Sequence, residues 1–501
     1  MGKKAVGHKA ILTEARLKAP PSEQLIRYTH APRLVREKKR FDQFLAIDMA
    51  HTVMLVERKI LSKRDGGKIL RRLRELDALG PDKFRTVPKK GSFLLQVEDF
   101  LFDTLGEEIG GRMHTGRSRI DQGAAVERLY ARDRLLDVTD RLIDFQGTLI
   151  KVGARNAKAI MPGYTHMQHA QPWVFGHYLM SYFEKLHEDF QRLVEAYGRT
   201  NKNALGTVGL AGTSWPLDRN RTMELLGCQG LVENSKLGRE AYYAVEAIGI
   251  LSIIMSSMND LASDLHLWSS YEFGLVETAD AYCGSSSIFP QKKNPYALET
   301  IKKAAGTSTA WAATALASFR SEGTGDQAPR EVYEMDHALD VTQNTLDYMA
   351  GVLDTLIVHK DRMRKLAADN WSTASNLADA IVMEKGLSYR RTHHVVARLV
   401  RIAIEENIRP TQATTEMLDR AAMETIGETL RLKTRVVRDA LDAEAFVKTR
   451  VTTGSLNPDE VKRMIREGRA KLGAERKWLA AQRRSLERAN TKLKQAMGRI
   501  R

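Results

Sequence analysis

One stretch narrows the folds open to this chain more than any other. From about Arg239 to Trp268 it is apolar on nearly every face, with Val245, Ile248, Leu251, Ile254, Met255, Met258 and Leu261 at its heart. No charged residue interrupts it between Glu246 and Asp260. A helix that is greasy all round belongs in the centre of a bundle or between subunits. Its longest weakly charged run, Ala247 to Met258, is well short of the roughly 20 residues a membrane span needs, so it reads as buried in protein.

The rest of the chain agrees. Leu135, Val138, Leu142, Phe145 and Leu149 alternate steps of three and four, which places them on one face of a long helix. Alternating strand patterns are scarce and only 13 prolines break 501 residues, so the fold class is all-α. Pro/Gly clusters such as Pro88–Ser92, Gly284–Pro295, Gly323–Pro329 and Gly454–Pro458 punctuate it. The expected division is a mostly helical N-terminal part over 1–118, a central long-helix bundle over 119–368, a small helical part over 369–461 and a basic helical tail over 462–501. In that tail Leu472, Leu479, Leu486, Leu493 and Ile500 recur every seven residues, but the companion columns are mixed. A coiled coil wants both columns apolar, so one leucine stripe predicts a helix laid against its own protein.

Charge bounds the partners. The net charge is +16, yet residues 1–40 carry 11 Lys+Arg against 3 Asp+Glu, and residues 462–501 carry 14 against 3. The 421 residues between are slightly acidic, so nucleic-acid or membrane binding would rest on the tails alone, and the expectation is against it. Two cysteines, Cys228 and Cys283, lie far apart and in no CxxC spacing. That argues against a disulfide framework or a zinc site and, with no apolar leader evident, fits a cytoplasmic protein.

The chemistry concentrates in Gly284–Glu299, GSSSIFPQKKNPYALE. Glycine and serines give conformational freedom and hydroxyls, while Lys292, Lys293 and Asn294 offer donors suited to carboxylate oxygens. By composition alone this is also an ordinary surface turn with a solvated lysine pair. The string, however, resembles the G-S-S-x-M-P-x-K-x-N signature of the fumarase/aspartase superfamily, with Ser285 in place of the glycine and Phe289 in place of the methionine. Met113–Gln122, MHTGRSRIDQ, and Pro162–Pro172, PGYTHMQHAQP, resemble two further blocks of its argininosuccinate lyase branch. Taken singly, each of these reads as the start of a helix with its caps. Together, and with similar stretches at 205–219, 385–400 and 454–461, they extend the resemblance over about residues 40–465.

The resemblance implies a homotetramer with a 20-helix core, in which each active site is assembled from three subunits. It implies a carbon–nitrogen lyase that eliminates fumarate from an N-substituted aspartate. Ser286 would be the general base, with Lys292 and Asn294 on the carboxylate whose charge grows. His166, paired with Glu299, would assist the leaving group. Ser118, Arg119, Thr165, Ser287 and Tyr333 would hold substrate. No metal or organic cofactor is implied, and no phosphate-binding loop or His/Cys ligand spacing is present.

The part of the pattern that meets the leaving amine is altered. Ile120 replaces an asparagine, and Ala338 and Val341 replace the glutamine and lysine of a Y-x-x-D-x-Q-x-x-K block that keeps Tyr333 and Asp336. Elsewhere in the pattern, Tyr296 stands where an aspartate is usual. Losing one polar contact to a substrate charge costs about 1–3 kcal/mol. A different amine, such as a diamine or an aminopolycarboxylate, therefore competes with the arginine moiety. A structural homologue without catalysis is the remaining alternative, and it gives no reason to retain Ser286, Lys292, Asn294, Thr165 and His166 together.

Overall fold

The computed structural model describes residues 19–319 and 332–500. The basic stretch 1–18, the Gly323–Pro329 cluster and Arg501 lie outside the described residues. Helices dominate the fold, as their periodicity predicts, and the described strands are short paired pieces that shape loops.

After short helical segments over 23–38, α1 (Phe41–Glu57), α2 (Lys63–Lys83) and α3 (Phe93–Gly110) enclose a core around Phe41, Phe44, Leu55, Leu73 and Phe93. Then comes α4 (Arg119–Arg155), which at 1.5 Å per residue runs for about 55 Å. Its start is fixed by a capping box, Ser118 with Asp121. A hairpin of β1 (Ile160–Thr165) and β2 (Gln168–Val174) leads into α5 (Phe175–Thr200). The apolar stretch is α6 (Tyr242–Trp268). It packs against α5, α7 (Tyr296–Ser308) and α8 (Glu334–Asp354) in a core with Leu142, Phe183, Leu251, Ile254 and Leu298.

By length and composition α6 could cross a membrane, but 56% of its most apolar window is buried inside this protein. Its outward side still shows Ile253, 47% exposed, close in sequence to the exposed Tyr242. A smaller third core gathers Leu377, Val395, Leu399 and Leu418 from α9 (Ala374–Lys385), α10 (Tyr389–Glu405) and α11 (Thr415–Ile426). Glycines in the left-handed conformation, Gly386 and Gly427, end the first and last of these.

The last helix, α12 (Pro458–Gly498), is capped by Asn457 and opens with Pro458. Leu472 and Leu479 sit in the central core, while Leu493 and Ile500 close the N-terminal core. The leucine column thus spans two cores. Several of its basic residues pair with acids of the body: Lys471 with Glu184 (2.6 Å), Arg483 with Asp140 (2.8 Å) and Lys492 with Glu224 (2.9 Å).

Candidate active site

The loop at 284–299 is a small hairpin with an exposed tip. Its stem pairs β4 (Gly284–Ser285) with β5 (Lys293–Asn294), and α7 begins directly after it. At the tip Ser286 Oγ accepts two backbone N–H groups, from Ile288 (3.2 Å) and Phe289 (2.9 Å). Both donors aim at one oxygen, so a negative charge there is favoured. Ile288 and Phe289 themselves stand 76% and 53% exposed, an apolar tip that no described residue covers fully.

The two lysines divide the work. Lys293 Nζ is held by Glu277 (2.7 Å) and Asp280 (2.5 Å), which ties the stem to the short strand β3 (Val276–Glu277) and the turn after it. Burial pulls the Lys293 pKa down, but Asp280 and Glu277 outweigh it and raise it above the ordinary value. The side chain of Lys292, by contrast, has no partner among the described residues. It faces a cavity of about 1520 Å³ that Asn294 and Glu299 also line.

The segment 113–122 is built in the opposite way, from below. Arg117 and Asp48, both fully buried, pair at 2.6 Å, and Asp48 also accepts from Gln122 (2.7 Å). His51, buried on α1, hydrogen-bonds the Thr115 carbonyl (2.9 Å). Burial, with help from Arg117, holds its imidazole down at about 3, so it is neutral. Asp121 accepts the N–H groups of Ser118 (2.8 Å) and Gly206 (2.7 Å). Half the motif is therefore scaffold. At the N-terminus of α4, where the helix dipole favours an anion, Ser118 Oγ caps the helix by accepting the Ile120 N–H (3.0 Å), and Arg119 beside it is exposed.

The block at 162–172 departs from its reading as a helix start: it is the β1–β2 hairpin. Thr165 pairs with Gln168, and the two turn residues, His166 and Met167, both have positive φ (53° and 60°). Such a turn normally takes Asn-Gly, because a side chain in the left-handed region costs about 1–2 kcal/mol. Strain of this kind collects at functional sites. It presents His166 on the hairpin tip beside Met167, which is 61% exposed.

Tyr333 stands at the foot of α8, 59% exposed, with the Arg36 guanidinium 4.0 Å above its ring. One turn on, Asp336 takes two hydrogen bonds from Arg40, each 2.8 Å. Burial pushes the Asp336 carboxyl up, but Arg40 more than reverses this and holds it below the usual range. Asp336 is thus an anchor of α8 to the N-terminal part.

One chain brings only some of the expected residues together. Lys292, Asn294 and Glu299 share a cavity, with Ser286 and Ser287 on the loop above the same stem. Among the described residues no hydrogen bond or ion pair links that loop to Ser118, Arg119, Thr165, His166 or Tyr333, and none joins His166 to Glu299. Sequence reading missed His266 of α6, which lines the cavity with Lys302 Nζ 3.4 Å from its Nδ1. It comes from another helix, so no motif spacing could have pointed to it.

Comparison with known proteins bears on the same segments. Residues 48–307 match the family described as lyase, and residues 371–448 match argininosuccinate lyase C-terminal. The chain is 34% identical over 467 residues to an argininosuccinate lyase of Methanocaldococcus jannaschii, covering 92% of this chain and 94% of that one. With argininosuccinate lyase 1 of Shouchella clausii it shares 33% identity over 483 residues, 95% and 96% of the two chains. The crystal structure of EDDS lyase in complex with formate superposes with a TM-score of 0.85 at 33% identity, over 97% of this chain and 96% of that one. The chain therefore belongs to the fumarase/aspartase superfamily, close to argininosuccinate lyase, and is a carbon–nitrogen lyase.

Proposed function

We propose that this enzyme reversibly eliminates fumarate from an N-substituted L-aspartate, with Ser286 as the general base. The observation that carries the reading is the pair of backbone N–H groups on Ser286 Oγ. A serine hydroxyl is far too weak an acid to serve as a base at neutral pH, and two aligned amide dipoles stabilise the alkoxide that can. The alkoxide takes the proton from the carbon beside the carboxylate, and the electron pair moves onto that carboxylate as a dianion. At the cavity, Lys292 neutralises the growing charge and Asn294 donates a hydrogen bond to it. The carbon–nitrogen bond then breaks with its electrons on nitrogen, and the amine leaves with a proton passed from His166, itself oriented by Glu299. Thr165, Ser118, Arg119, Ser287 and Tyr333 hold the substrate carboxylates and amine.

A single chain holds these groups apart, so the reading includes a homotetramer whose sites draw on three subunits. The exposed Ile253 on α6, the exposed loop tip and the strained hairpin tip at His166 supply surfaces for such contacts. The same reading takes 1–118, 119–368 and 369–461 as the working domains, with 462–501 as a strap over the first two.

A second amine class has its own support. Ala338 is fully buried and Val341 packs against the central core, so neither offers a polar contact to an amine. With Ile120, this favours a diamine or aminopolycarboxylate adduct over the arginine one. Fumarate offered with a panel of amines, followed by its absorbance near 240 nm, reads both points. Ser286→Ala should reduce turnover by about 10³-fold or more with the fold unchanged. Retained activity would remove Ser286 from this role, and no reaction with any amine or with argininosuccinate would remove the function.

A further inference from the structure

Tyr296, one departure from the family pattern, touches the residue beside another. The signature's glycine before the serine pair is Ser285 here, and a glycine stands one residue earlier, at 284. The residue after Asn294-Pro295, an aspartate in the pattern the loop resembles, is Tyr296. In the structure the Tyr296 ring lies flat against Gly284. A Cβ built on Gly284 would fall 2.5 Å from Cδ2 and 2.7 Å from Cζ of that ring, with Cε2 closer still, so any side chain there would displace the ring. Gly284 has no positive φ, so its backbone would accept any residue. Space for the ring is therefore what this position supplies. Tyr296 is the first residue of α7, and Gly284 opens the stem of the loop opposite Asn294. The ring thus spans the root of the hairpin, from the helix that carries Glu299 to the strand that leads into Ser286. Its outer edge is half exposed.

We propose that Tyr296 and Gly284 form a latch that sets the angle of the loop on α7, and so the placement of Ser286 over the cavity of Lys292 and Asn294. Tyr296 is then a positioning residue. This rests on the reading of Ser286 as the base. The latch is uncharged and works by contact, so it acts equally on every substrate the loop closes over. An amine-contacting residue would discriminate between amines.

The test is a double-mutant cycle on the full-length protein. Fumarate is offered with methylamine, ethylenediamine and benzylamine, and amide hydrogen exchange is followed across 284–296 in the free protein. Gly284→Ala pushes the ring out, and kcat should fall by about 10²-fold, by the same factor for every amine, with KM for fumarate little changed. Tyr296→Ala in the same chain removes the clash, so the double variant should regain about tenfold over Gly284→Ala alone. Tyr296→Phe keeps the ring and should stay within about threefold of wild type. Stem amides should exchange faster in Gly284→Ala and slow again in the double variant. A double variant no better than Gly284→Ala in either readout overturns the latch. So does a Tyr296→Ala effect that differs strongly between the amines, which would make Tyr296 a specificity contact. Restored exchange with no fumarate chemistry in any variant or in wild type leaves the latch standing and overturns the fumarate reading instead.

Discussion

The segment at 113–122 and the loop at 284–295 serve one proposed site, yet they are built on opposite principles. In the first, the anchoring groups are buried: Arg117, Asp48 and Gln122 are enclosed, and Asp121 clamps two backbone amides. In the second, the tip is open and only the stem is held, by Lys293 on its two carboxylates and by the Tyr296 ring. Buried polar networks resist change because each broken bond leaves an unsolvated partner, whereas exposed pairs exchange easily with water. The difference assigns roles. The rigid segment presents Ser118 and Arg119 in a fixed geometry, suited to groups that keep their charge throughout the reaction. The open loop carries Ser286 and Lys292, whose partners would change as the proton moves in the proposed reaction.

The sharpest way to break this contrast is to cut the buried pair. Arg117→Ala strands Asp48 in a fully buried position and should cost about 3–5 kcal/mol of stability, read as a lower midpoint in urea. A loss under about 1 kcal/mol would mean the segment is no more rigid than a surface turn. A smaller effect should appear with pH. His51 is neutral when folded because its imidazole is held at about 3, while in the unfolded chain it takes a proton near 6.5. The stability this brings is whole above pH 6.5 and lost as the pH falls toward 3, at about 1.4 kcal/mol per pH unit. The difference between wild type and His51→Gln in urea midpoints, followed from pH 7 to 5, isolates this group from the carboxylates. Parallel curves would show that His51 does not titrate as a buried neutral group.

Where the sequence was legible follows the same division. The bundle could be read because α4 and α6 advertise their burial in local spacing, through Leu135 to Leu149 and the uncharged run after Glu246. The loop and the 113–122 block could be read as motifs, since their chemistry lies in consecutive residues. What could not be read was pairing over distance. Asp48 and Arg117 are brought together by the fold, as are Tyr333 with Arg36 and Asp336 with Arg40. The β1–β2 hairpin was hidden for another reason: its turn, His166-Met167, carries neither glycine nor asparagine, so the usual turn signal is absent. The missing signal is itself informative, because the strain that disguised the turn holds the histidine on the tip.

The smallest expected effect in stability sharpens the contrast most. Lys293 looks like the equal of Lys292 in the sequence, but its ammonium is spent on Glu277 and Asp280, with His359 Nε2 3.6 Å from the far oxygen of Glu277. Lys293→Met removes two partly exposed ion pairs, so global stability should fall by less than about 1 kcal/mol. If the stem matters for placing Ser286, turnover should nevertheless fall by about tenfold, as a loss in kcat with KM for fumarate held. Lys292→Met should instead raise KM and lower kcat together, since in the proposed mechanism that ammonium meets the substrate carboxylate in the ground state and more strongly as charge develops. Lys293→Arg should keep most activity, because two carboxylates suit a guanidinium as well as an ammonium. Equal KM effects from the two lysines would mean both meet the substrate, and the stem would then be held by its backbone pairing and the Tyr296 contact without Lys293.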